Sequence, residues 1–275
     1  MKIILVLFIF TFGIILFAEN VTDNQKNKEV NMKEETVLGI EQTDPEFSEF
    51  FEYFAFNEVV NQKGQQLPER ERYMAILATL LGSQSLDMFE IMISKALDGG
   101  VTPIEIKEIT YQSVAYLGIG RVYPFIKSIN KVFETKGIIQ PLEKQGTTNK
   151  DNKREKGTQA QVDIFGDNMK DFWKSGPEDT RHINYWLAEN CFGDYYTRNG
   201  LDLAKREMIT FCFISAQGGC EPQLLGHALG NMKCGNDKSY LIKVVSQCMP
   251  YIGYPRTLNA LTAIEKANEQ FTQSK

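Results

Sequence analysis

Cys220 and His227 stand seven residues apart in a chain that holds only two histidines. Seven residues are about two turns of α-helix, so a helix running through both would carry thiol and imidazole on one face. A thiol beside an imidazole is a candidate activated nucleophile: the imidazole takes the proton and the thiolate attacks. Gly218-Gly219 precedes the thiol, leaves room for close approach and puts Cys220 near a helix N-terminus, where the dipole also favours thiolate. Such a thiolate attacks a peroxide and becomes a sulfenic acid. The competing reading is a small buried cysteine packed near a structural histidine, because free cysteine is among the most buried residue types.

The remaining cysteines are Cys191, Cys212, Cys234 and Cys248. Cys234 lies roughly 20 Å from Cys220 along a continuous helix, so it cannot resolve an oxidised Cys220 there. An external thiol or a neighbouring subunit would have to do so. An odd number of thiols in an exported chain leaves at least one unpaired. The spacings match no zinc pattern, so neither a metal nor a cofactor is expected. The other histidine, His182, lies ahead of the second helical half and is expected at the surface or in packing. Cys191-Phe192-Gly193 precedes that half too, with core packing favoured over pocket lining.

The elements that must position these groups are helical. Arg70–Leu81 and Arg206–Ala216 have charged starts and apolar bodies, as core helices do. Helices are expected next over Ser85–Leu97 and Pro222–Met232, the second with its proline in the first turn. Thr102-Pro103-Ile104-Glu105 has the N-cap, first-position proline and third-position acid of a helix start, and that helix should run to Leu117. Gly118 and Gly253 then break the chain, before final helices over Tyr123–Thr135 and Thr257–Phe271. No stretch alternates like a strand, so the class is all-α.

The two halves repeat. Leu67-Pro68-Glu69-Arg70-Glu71 matches Leu203-Ala204-Lys205-Arg206-Glu207 at an offset of 136 residues. Tyr116-Leu117-Gly118-Ile119-Gly120-Arg121 matches Tyr251-Ile252-Gly253-Tyr254-Pro255-Arg256 at 135. A duplicated unit of this size predicts two similar helical domains, 44–140 and 161–275, joined by a polar, exposed linker over 141–160. At an offset of 136, Cys220, His227 and Glu207 correspond to Gln84, Ile91 and Glu71, so the first domain lacks the thiol and the imidazole. Any chemistry is then local to the second.

The whole chain has 275 residues, 43% hydrophobic and 24% charged, with net charge -5. Nothing in that balance marks a nucleic-acid surface. Met1-Lys2 leads into an apolar run to Ala18, followed at once by polar residues. That pattern predicts a signal peptide over 1–18, cleaved after Ala18, and a periplasmic or secreted protein with no membrane contact after cleavage; a retained N-terminal anchor is the alternative. Residues 19–43 are polar and expected to be loosely ordered.

One run of residues also resembles a known family. It comprises Arg206-Glu207 at a helix start, Gly218-Gly219-Cys220-Glu221-Pro222-Gln223 with Gly226-His227, then Gly230-Asn231 with Lys233, and finally Pro250 to Leu261. Together these are similar to carboxymuconolactone decarboxylase-like domains, a superfamily that includes alkyl hydroperoxidase D. The resemblance covers Leu203–Asn268 well and Leu67–Phe133 more weakly, which implies a tandem-domain member with helix-hairpin cores. It also implies a homo-oligomer, with a trimer favoured. Two chemistries are implied. One reduces peroxides at a Cys-x-x-Cys-x-x-x-His site with an upstream Glu; here the positions fall on Cys220, Gln223, His227 and Glu207. The other decarboxylates a lactone acid without metal or organic cofactor.

Gln223 stands where the redox pattern has its second cysteine, so peroxidase chemistry here calls for an external thiol reductant. Glu207 fits either a dipole-compatible charge paired with Arg206 or a buried group that orients His227. Arg256 fits either a bidentate anchor for a substrate carboxylate or an inter-helix ion pair. Three functions remain in view. A thiol-dependent peroxidase with peroxiredoxin-type activity ranks first, a cofactor-free lyase on a small carboxylated lactone second, and a non-enzymatic oligomeric scaffold third. The substrate is accordingly a peroxide or a small organic acid.

Overall fold

The first helix after the N-terminal segment, α1 (Pro45–Tyr53), carries Glu52, whose Oε1 accepts backbone N–H bonds from Val37 and Leu38 in the preceding chain at 2.7 and 3.1 Å. The computed structural model describes residues 37–273; the expected signal peptide and most of the polar 19–43 segment lie outside the described residues. Residues 37–52 and the remainder from Tyr53 onward are separate units, and everything below concerns the second.

The long helices of that unit begin with the buried α2 (Glu69–Gly82) and the amphipathic α3 (Leu86–Asp98), followed by α4 (Pro103–Leu117) and α5 (Ile119–Thr135). The chain continues through α6 (Lys153–Phe165) and α7 (Arg181–Trp186), which runs on as a π-helix over Leu187–Tyr196. Three more helices complete it: α8 (Leu203–Gln217), α9 (Glu221–Lys233) and α10 (Lys238–Gln273), the last kinked at Gly253. The described residues hold no strand, as the sequence pattern implied.

Local chemistry sets the ends of these helices. Thr102 and Glu105 form a capping box: Thr102 Oγ1 accepts from the Glu105 N–H, and Glu105 Oε2 from the Thr102 N–H. Asp202 caps α8 by accepting from the Lys205 N–H at 2.8 Å. Gly118 and Gly253 have φ of 80° and 72°, where a side chain is strained, and both mark the expected breaks. The glycine alone turns the chain, so α5 begins at Ile119, ahead of the expected Tyr123.

Every residue from Arg72 to Gly82 in α2 and from Arg206 to Ala216 in α8 is buried. These two helices lie at the centre and pack on each other; a Cβ at Gly82 would sit 2.4 Å from Phe213 O. The halves exchange equivalent contacts across this junction. Arg72 donates to Gln247 Oε1 at 3.1 Å, and Arg206 donates to Gln112 Oε1 at 2.7 Å. Each arginine is the fourth residue of its helix.

That reciprocity corrects the register of the repeat. Arg72 pairs with Arg206, so Glu207 corresponds to Tyr73 rather than Glu71. α8 is one residue longer than α2, so the offset becomes 135 beyond it. Ser85 and Cys220 are the residues just before α3 and α9, and Gln84 and Gly219 share a left-handed backbone at φ 61° and 70°. Cys220 therefore corresponds to Ser85 and His227 to Met92, replacing Gln84 and Ile91. The first half still lacks both reactive groups.

The expected linker over 141–160 also differs. α6 starts at Lys153 and packs along the π-helix, glycine against glycine: a Cβ on Gly157 would lie 2.0 Å from Ala188 O, and one on Gly193 2.3 Å from Lys153 O. Ahead of it, Thr147 and Thr148 donate to Thr197 O and Gly193 O. The polar composition concealed this docking because its first contacts are backbone and glycine. The apolar side chains that pack on the π-helix, Ala160, Ile164 and Phe165 against Cys191, Phe192 and Tyr196, come only at and beyond the end of the segment. Gly157→Ala forces backbone apart, and we expect it to lower stability by about 1–3 kcal/mol, read as a fall in thermal midpoint.

Candidate active site

Cys220 is the residue that precedes α9 and is not inside it; its φ and ψ are -132° and 40°. Of the two expectations, one shared helical face and a thiol near a helix start, the second is the one found: the thiol sits at the N-terminus of α9, and His227 lies two turns in. Pro222 in the first turn is the reason, since it suits that position and no interior one. The Gln217 amide donates to the sulfur at 3.1 Å from the end of α8. No hydrogen bond joins Cys220 to His227; both line one cavity of about 590 Å³.

Glu207 lies on α8, is fully buried and faces that imidazole. Its Oε2 is 2.9 Å from His227 Nδ1, and its Oε1 accepts from the Tyr196 hydroxyl at 2.9 Å. Of the two sequence alternatives, the orienting carboxylate is the one found. Arg206 turns elsewhere, to Glu108 at 3.0 Å and to the Arg198 and Asn199 carbonyls. Consecutive helical residues diverge by about 100°, which is why neighbours in sequence serve different partners.

Tyr196 has one proton and gives it to Glu207, so Tyr116 (2.7 Å) and Thr210 (2.9 Å) are its donors. Burial pushes both tyrosines well above the ordinary phenol range, so they remain protonated donors. With Nδ1 held by a carboxylate, the neutral imidazole carries its proton there, and Nε2 is left as the basic nitrogen on the cavity side. Edge-on contacts from Tyr116 and Phe165, at 5.4 and 5.6 Å, hold the ring plane.

Glycine and asparagine keep this geometry. A Cβ on Gly230 would lie 2.5 Å from Glu207 Oε2. Asn231, fully buried, donates to both Glu207 O and His227 O at 2.8 Å and so fastens α8 to α9. The motif Gly230-Asn231 was visible in the sequence, but its task was not; Tyr116 showed only as part of the repeat, Tyr196 only in the aromatic run after Cys191, and Gln217 not at all.

The cavity wall is mainly apolar, with Phe165, Met169, Phe172, Leu187 and Ile214 beside Tyr116. Gln223 is exposed and lines the mouth. Cys191 lines it too, though burial pushes its thiol up to about 12. Arg256 does not reach this cavity. It packs against Gly218 and lines a narrow adjoining crevice with Asn259, Ile214 and Cys220, the last two of which also line the His227 cavity; among the described residues it forms no ion pair with another helix. His182 is exposed, edge-on to Trp186 at 4.8 Å. Among the described residues no group of three or more His, Cys, Asp or Glu side chains could hold a metal ion.

A sequence model described as the carboxymuconolactone decarboxylase family matches residues 45–123 and 183–266. A comparison with curated proteins returns no match. A solved structure described as a gamma-carboxymuconolactone decarboxylase subunit from Burkholderia xenovorans LB400 is 17% identical, with a TM-score of 0.49 over 86% of this chain and 90% of that one.

Gly230→Ala drives a methyl group into the carboxylate of Glu207. We expect the histidine 15N spectrum to show the Nδ1–H tautomer of His227 lost or mixed, while His182, far from the change in sequence and exposed, keeps its signals. An unaltered His227 tautomer would count against Glu207 as its orienting partner.

Proposed function

The chain belongs to the carboxymuconolactone decarboxylase family, and we propose that it is a thiol-dependent peroxidase in which Cys220 is the nucleophile and His227 the proton carrier. One observation carries this reading: a part-exposed thiol at a helix start, accepting an N–H from Gln217, opens on the same cavity as an imidazole oriented by a buried carboxylate.

The step balances as follows. His227 Nε2 takes the Cys220 proton, and the sulfur attacks one peroxide oxygen. The O–O bond breaks, sulfur is oxidised to sulfenic acid, and the leaving oxygen takes its proton from His227. Gln217 and the α9 N-terminus offer positive charge density to the sulfur as it carries negative charge. An external thiol then condenses with the sulfenic acid, releasing water, and a second equivalent frees Cys220 and leaves as disulfide. An external donor suits this chain, since Gln223 takes the place of a neighbouring cysteine. The apolar wall favours an organic hydroperoxide over hydrogen peroxide.

Cofactor-free lyase chemistry is the second reading. Its support is that the Tyr196–Glu207–His227 set works as an acid/base group without the thiol. Its cost is that Arg256, the expected carboxylate anchor, lines the adjoining crevice and not the His227 cavity itself. The two readings separate cleanly. Under the first, Cys220→Ser abolishes hydroperoxide consumption and mass spectrometry finds the sulfenic acid at Cys220, while His227→Gln slows turnover about 10²–10⁴-fold. Unchanged consumption by Cys220→Ser would sink the peroxidase reading; a silent Cys220→Ser beside a dead His227→Gln on a lactone acid would establish the lyase. Activity untouched by either change would leave the scaffold reading.

We further propose that the protein is exported and acts as a homo-oligomer. Ile119, Tyr123, Tyr254 and Leu258 are all more than half exposed, and they occupy equivalent places after Gly118 and Gly253 in the two halves. A repeated apolar patch of this kind is an association surface. Tyr123→Glu with Leu258→Glu is expected to shift the sedimenting species from trimer to monomer.

A further inference from the structure

A second cavity, of about 510 Å³, lies between α4, α5 and the segment 140–145. Lys107 forms part of its wall and is only 7% exposed. Its ammonium bonds to Asn130, a neutral partner, and lies over the Phe133 ring at 5.6 Å. Among the described residues no carboxylate forms an ion pair with it. A buried cation without a counter-charge is costly, and here burial lowers the lysine from its ordinary range. Three cations, Lys107, Lys144 and Arg198, line the cavity against two carboxylates, Glu108 and Glu143. Glu108 is already shared: Arg198 holds it at 2.9 Å and Arg206 at 3.0 Å. The cavity is therefore short of negative charge. Ile104, Ile126 and Leu142 supply apolar wall for the body of a ligand.

A buried chain of hydrogen bonds leads from this cavity to His227. Arg198 and Arg206 meet on Glu108, and Arg206 donates to Gln112 Oε1 at 2.7 Å. Gln112 donates to Thr210 Oγ1 at 2.8 Å, Thr210 meets Tyr196 at 2.9 Å, and Tyr196 donates to Glu207. Glu207 holds His227 Nδ1.

We propose that the Lys107 cavity is a second ligand site, for a small organic carboxylate with an apolar body, and that its occupancy is felt at His227 through the Glu108–Arg206–Gln112–Thr210–Tyr196–Glu207 chain. The carboxylate pairs with Lys107, and Arg198 moves from Glu108 toward the ligand. Glu108 then leans more on Arg206, and each downstream bond readjusts. The site does not depend on what chemistry Cys220 performs.

The chain's two histidines make the test direct. Full-length protein labelled with 15N-histidine is titrated with benzoate. The His227 imidazole signals move saturably while those of exposed His182 stay. Lys107→Met, which keeps the stem and removes the charge, raises the half-saturating concentration at least tenfold. Leu142→Trp fills the cavity from the surface segment, leaves α4 untouched, and does the same if Lys107→Met fails to fold. Lys107→Arg keeps the response. The proposal is overturned if His227 does not respond up to the solubility limit of benzoate. It is equally overturned if the response persists unchanged in Leu142→Trp, because benzoate is then entering the His227 cavity itself.

Discussion

Arg206 and Glu207 are consecutive, oppositely charged and both fully buried, and much of the structure answers to that fact. Desolvating an ion costs several kcal/mol even after relaxation, so each needs fixed partners. Their side chains leave α8 in different directions and cannot simply neutralise each other. Arg206 recruits Glu108 and Gln112 from α4, which ties the two halves of the repeat together. Glu207 recruits Tyr196 from the π-helix and His227 from α9, which builds the site. One helical turn thus sets both the junction of the halves and the orientation of the imidazole.

The halves share a scaffold and divide its tasks. Where the second half has Glu207, Cys220 and His227, the first has Tyr73, Ser85 and Met92, of which Met92 is fully buried. Both halves place an arginine at the fourth position of a central helix and a glutamine on the opposite half to receive it. The duplication is therefore preserved where it carries packing and lost where it would carry chemistry. Residues 124–182 lie between the two segments that match the family, yet they furnish Phe165, Met169 and Phe172 to the His227 cavity and Ile126, Asn130 and Leu142 to the second one. The intervening segment thus supplies most of the wall of the second cavity and a smaller part of the wall of the His227 cavity.

Burial separates the thiols. Cys191 and Cys234 are pushed up to about 12, and Cys212 is raised as well, so these remain protonated thiols at neutral pH. Cys220 alone combines a helix start, an amide donor and a place on the cavity wall. Its setting is a property of that corner of the chain rather than of the surrounding sequence composition.

The amino-acid sequence by itself determined the all-α class and most helices of the two repeats, because caps, prolines, glycines and apolar periodicity act within a few residues. Thr102-Pro103 with Glu105, and Gly118 with Gly253, announced their turns unaided. It also marked Cys220, His227 and Glu207 as the residues to watch. It offered Cys220 both a place on one helical face with His227 and a place near a helix start, of which only the second holds. It set the repeat offset at 136 where the structure has 134 along α2 and α8 and 135 beyond them, α8 being one residue longer than α2. Only the tertiary structure decided which of two readings Glu207 obeys, that Arg256 lines a crevice adjoining the His227 cavity and sharing Cys220 with it, that Gly157 is a docking point rather than a linker, and that Tyr196 and Asn231 hold the site. Those outcomes rest on contacts between helices far apart in sequence. No local spacing encodes such a contact, because it exists only once packing has removed the water that would otherwise satisfy each group.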